Sequence, residues 1–115
     1  MEDPRALRLF QEILEKTRAG RLRWEITADG SSYLAALPGG LTVSTFAFSE
    51  RDRWGNSEDN FELILRGDEG DLLTVTSTVD GVTSDDLAML YELAKRQALG
   101  VDAKVDKLLG ELAKL

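Results

Sequence analysis

The sequence predicts an α+β fold: a five-stranded antiparallel meander with an N-terminal helix and two C-terminal helices packed on one face. Three observations predict it. Apolar residues recur with helical spacing near both ends of the chain and with a period of two through its middle. The connections between the middle segments are short and rich in Gly, Asp and Pro, which favours antiparallel neighbours. Each clear strand pattern has one apolar face only, so the helices should cover one side of the sheet and leave the other wet.

The first helix starts with Asp3 as N-cap and Pro4 at its first position. Leu7, Phe10, Ile13, Leu14 and Thr17 mark its inner face, and Gly20 ends it. The period then changes. Leu22, Trp24 and Ile26 point inward, while Arg21, Arg23, Glu25 and Thr27 point out. Asp29-Gly30 is a tight hairpin signal leading to a return strand over 32–37. Pro38-Gly39-Gly40 turns the chain into a third strand over 41–49. Leu41 and Val43 share one parity there and Phe46 and Phe48 the other, so a bulge near Ser44-Thr45 is expected to bring all four to one face.

Residues 49–60 are polar and charged, and read as a long loop of the kind that often carries function. A fourth strand over 61–66 turns Phe61, Leu63 and Leu65 inward. After the turn at 67–70, a fifth strand points Leu73, Val75 and Val79 inward and Thr74, Thr76 and Thr78 outward. The wet face then carries those threonines with Arg21, Arg23, Glu25, Glu62 and Arg66.

The second helix, 83–100, is the best signalled element. Thr83 is its N-cap and Asp86 the partner in a capping box; Val82 and Leu87 have staple spacing. Asp85 and Asp86 suit the positive end of the helix dipole, Lys95 and Arg96 the negative end, and Gly100 the stop. Leu87, Leu90, Tyr91, Ala94 and Ala98 share a face that Met89 and Leu93 widen. A last helix from about 102 carries Val101, Val105, Leu108, Leu109, Leu112 and Leu115 on one side; Gly110 weakens it by ~1 kcal/mol relative to Ala. This stripe is expected to pack on the Met89 and Leu93 edge. Any part of it left bare would join two copies in a weak homodimer.

Composition narrows the function. At 115 residues the chain makes one domain, 1–115. A net charge of -7 argues against nucleic acid, which wants clustered Lys and Arg. No apolar run is long enough to span a membrane, and MEDPRALRLF has no basic-then-apolar leader pattern, so the default expectation is cytoplasmic. The sequence holds no Cys and no His, which removes disulfides, thiol nucleophiles, the usual general base and the commonest metal ligands. No catalytic residue, cofactor or metal is therefore assigned.

The segments LEKTRAG, RLRWEIT and DLAMLYELAKRQALGVDAKVDKLL resemble small bacterial domains of helix, β-meander, helix type. The motifs shared are core and capping residues, so the resemblance implies a fold and no activity. A looser similarity to type III secretion chaperones implies a small, acidic, partner-binding dimer with helices on a sheet. Those chaperones break the strand series with a middle helix, which 49–60 does not supply.

Among motifs that could carry chemistry, the acidic turn residues Asp68, Glu69, Asp71, Asp80, Asp85 and Asp86 fit no calcium-loop spacing, and turn and cap chemistry explains each. Arg66-Gly67-Asp68 reads as a turn, and Gly39-Gly40 lacks the context of a phosphate loop. Trp54 stands apart, among Arg51, Asp52, Arg53, Gly55 and Asn56 with no apolar neighbour. Trp and Arg are enriched in interface hot spots. Two readings stay open: a recognition residue, or an indole folded over the sheet with an Arg stacked on it. The expectation is a protein-binding or adaptor module whose contacts are Arg51, Arg53, Trp54 and Asn56. A secretion-chaperone-like or immunity-type protein is the alternative, and a carboxylate-based metal-dependent enzyme a further one.

Overall fold

A computed structural model describes residues 4–28, 30–51 and 53–115. The order is α1 (Arg5–Arg18), β1 (Trp24–Ile26), β2 (Ser32–Ala36), a 3₁₀ turn at Pro38–Gly40, β3 (Thr42–Arg51), β4 (Ser57–Gly67), β5 (Gly70–Val75), α2 (Ser84–Leu99) and α3 (Val101–Leu112). The sheet is an antiparallel meander, β1-β2-β3-β4-β5. The α+β class and the element order follow the sequence reading. The expected N-cap Asp3 and the hairpin residue Asp29 lie outside the described residues.

α2 crosses the sheet over β1 to β4, and α1 lies beside it over β5. The core between them holds Phe10, Ile13, Trp24, Tyr33, Val43, Leu63, Val75, Leu87 and Leu90. α2 keeps both of its sequence signals. Thr83 Oγ1 accepts from the Asp86 N–H at 3.0 Å, and Asp86 Oδ2 accepts from the Thr83 N–H at 3.3 Å. Gly100 takes φ 61, ψ 39, and its N–H returns to the Arg96 and Gln97 carbonyls. Gly81 takes φ 86, the left-handed conformation that favours glycine, and a Cβ there would also press on a Leu7 methyl of α1 at 2.9 Å.

Several expectations are corrected. β3 contains no bulge. It pairs in unbroken register with β2, from Ser32↔Phe46 to Ala36↔Thr42, and with β4, from Thr42↔Arg66 to Arg51↔Ser57. The irregularity sits instead between β4 and β5 at Leu65/Arg66. Pairing on both flanks leaves no room for an extra residue, so Val43 and Thr45 face the helices while Ser44, Phe46 and Phe48 face away. The outer face therefore carries an apolar strip of Leu34, Phe46, Phe48 and Ile64. Ser44 is buried among its larger neighbours, and its Oγ has no hydrogen-bond partner among the described residues.

β1 covers only Trp24–Ile26, and Ile26 is 47% exposed because this edge strand ends there. β5 stops at Val75, so Thr76, Thr78 and Val79 belong to the turn before α2, where the Thr76 and Thr78 hydroxyls bond each other at 2.6 Å. α3 buries no residue: Val105, Leu108, Leu109, Leu112 and Leu115 are all exposed, so the helix is not docked along the Met89 and Leu93 edge. Its projection and that of the β3–β4 hairpin stretch the molecule to 59 × 45 × 27 Å, with a radius of gyration of 16.2 Å. A compact domain of about 100 residues has roughly 13 Å.

Candidate functional site

Residues 49–60 are not a loop. β3 and β4 continue through them as a two-stranded arm, joined by a turn whose described residues are 53–56. β2 pairs with β3 only as far as Phe46, and β5 with β4 only as far as Leu63. Beyond those points no described strand flanks the arm, and only its base, at Phe48 and Phe61, meets aromatic neighbours. That explains its polar sequence.

The four sequence-chosen residues sit at the end of this arm. Arg51 is the last residue of β3, and Arg53, Trp54 and Asn56 belong to the turn. Gly55, at φ 82, supplies the left-handed step that reverses the chain. Trp54 is 75% exposed, so the indole does not cover the sheet. The Arg53 guanidinium carbon lies 5.0 Å from the ring centroid. Such stacking at an exposed site contributes about 0.5–1 kcal/mol and orders both side chains.

A groove of about 300 Å³ opens where the arm leaves the core, between β3, β4 and α2. Its aromatic wall is Phe61 and Tyr91, with ring centroids 5.3 Å apart; Tyr91 meets Tyr33 edge-on at the same distance. Two carboxylates line it, Asp59 and Glu92. The Ser49 hydroxyl donates to Asp59 Oδ1 at 2.9 Å and fixes that side chain across the strand pair. Burial raises the Tyr91 pKa above the ordinary 10.0; the Tyr33 interaction and the Glu92 charge add to the rise. Tyr91 thus keeps its hydroxyl proton to a higher pH than an ordinary tyrosine. The sequence reading missed this groove, because it depends on α2 passing over β4.

Two of the six acidic turn residues have structural roles. Asp71 pairs with Arg66 at 2.7 Å, and Asp86 serves the capping box. Among the described residues no three His, Cys, Asp or Glu side chains gather where they could hold a metal ion. A larger polar hollow of about 440 Å³ lies beside Trp24, and an apolar one of about 270 Å³ between α1 and β5; neither includes a residue singled out for binding. No helix among the described residues is long and apolar enough to cross a membrane. No family model, curated protein or solved structure matches the chain.

Proposed function

We propose that this chain is a small acidic protein-interaction module without catalytic activity of its own. The β3–β4 arm is its recognition element, and the partner is another protein. The observation that carries this is Trp54, 75% exposed at the end of an arm that leaves the core, with Arg53 stacked on it. An indole has roughly 150–250 Å² of surface to bury, and here the protein's own core takes up little of it. Arg53 on the ring, with exposed Arg51 and Asn56 at the same end of the arm, supplies groups suited to a polar rim. The groove at the arm's base supports the same reading: an aromatic wall with two carboxylates suits a basic side chain of the partner. The net charge of -7 makes a nucleic-acid partner a poor fit.

Affinity capture from the native host tests the proposal, with Trp54→Ala as the paired bait. A protein retained by the parent and lost by the variant supports it. Equal retention by both removes the arm tip from the interface.

A further inference from the structure

α3 is where the described structure leaves most apolar surface unused. Val101, Val105, Leu108, Leu112 and Leu115 follow one another at alternating intervals of four and three, the spacing of a coiled-coil seam. All but Val101 are exposed. Gly110 falls opposite the seam, and a Cβ built there meets nothing within 4 Å. The corner that carries α3 is fixed by Gly100 at φ 61 and by the Arg96–Asp102 pair at 2.6 Å, so the helix is held out from the body.

We infer that α3 is a homodimer interface, in which two copies pair their α3 helices antiparallel about a twofold axis near residues 106–107. The sequence of the seam argues for a second copy in that direction. Antiparallel pairing sets Val101 against Leu112 and Val105 against Leu108, so the four layers within α3 are each one Val and one Leu and match in volume. Lys104 and Glu111 directly precede the seam positions Val105 and Leu112, on the same side of the helix. In the antiparallel pair each Lys104 lies beside the other copy's Glu111, twice per dimer. A parallel pair would set Lys104 beside Leu109 and form no such contact. The interface is small. Twelve residues at about 1.5 Å rise make a seam of roughly 18 Å. A single two-helix seam of that length is a small contact beside the ~1,200–2,000 Å² of a standard interface, so the dimer is reversible and is expected to form in the micromolar range. This inference is independent of the arm's recognition role.

Sedimentation equilibrium of the full chain, from low micromolar to millimolar concentration, tests it. The expected result is a mass that doubles with concentration, abolished by Leu108→Glu, whose exposed site leaves the monomer's melting temperature unchanged. Lys104→Glu and Glu111→Lys are each expected to weaken association about five- to tenfold, since two attractive contacts become repulsive. Mixing those two variants restores it, because one then carries two Glu and the other two Lys at the flanking positions. A mass that stays monomeric throughout, or a dimer indifferent to Leu108→Glu, overturns the interface. Single variants that weaken the dimer without rescue on mixing overturn the antiparallel register.

Discussion

The indole N–H of Trp24 donates to the Thr17 hydroxyl at 3.1 Å, joining β1 to α1 inside the core. That hydroxyl donates in turn to the Ile13 carbonyl at 2.7 Å, and Gln97 of α2 reaches the Thr17 carbonyl at 2.8 Å. Trp24 is 3% exposed and Thr17 fully buried, so neither polar group has water as a substitute. Trp24→Ala should cost ~3–5 kcal/mol, as for other large core aromatics. Thr17→Val keeps the shape but strands the indole N–H, at about 1–3 kcal/mol. Combined with Trp24→Phe it should cost less than the sum of the two single changes, measured by urea denaturation. Strict additivity would show that the hydrogen bond contributes nothing.

Ser44 offers the opposite case. Its hydroxyl is buried between Leu34 and Ile64 without a partner among the described residues. Removing an unpaired buried hydroxyl relieves its desolvation cost, so Ser44→Ala should stabilise the fold by about 1 kcal/mol. A loss of stability in the denaturation midpoint would mean that the hydroxyl is bonded.

Tyr91 should give the fold a response to alkali. Burial and its neighbours raise its pKa above 10.0 in the folded state. Between the unfolded and folded values the unfolded chain has lost a proton that the folded chain keeps, so stability falls as pH rises. Its contribution is fully present below pH 10.0 and is lost as pH climbs through the folded value. Tyr91→Phe should therefore flatten the decline in stability above that point. Parallel declines in the two proteins would contradict the assignment.

The sequence made some elements legible and concealed others. Both ends of α2 could be read because capping is local: Thr83, Asp86 and Gly100 act within one turn of the helix. Register is not local. Val43 and Phe46 admit either a bulge or two apolar faces, and only β3's pairing with both β2 and β4 decides between them. The sequence of the arm reads as a loop because residues 49–60 are nearly all polar and show no apolar alternation. Ile26 kept its parity with Trp24 but lies where the edge strand ends, a position that alternation does not encode. At the site, Trp54 and Arg53 could be singled out as an aromatic and a cation without apolar company. The groove beneath them joins Phe61 of β4 to Tyr91 of α2, residues brought together only by helix placement.

The most direct measurement pairs stability with affinity at Trp54. The melting temperature of Trp54→Ala is read beside its dissociation constant for the protein that the parent captures. An indole 75% exposed contributes little to the fold, so the melting temperature should stay within a degree or two of the parent. Hot-spot aromatics cost at least ~2 kcal/mol when truncated, so affinity should fall by more than about tenfold. A variant that melts several degrees lower, or that binds as tightly as the parent, would contradict a recognition role for the arm.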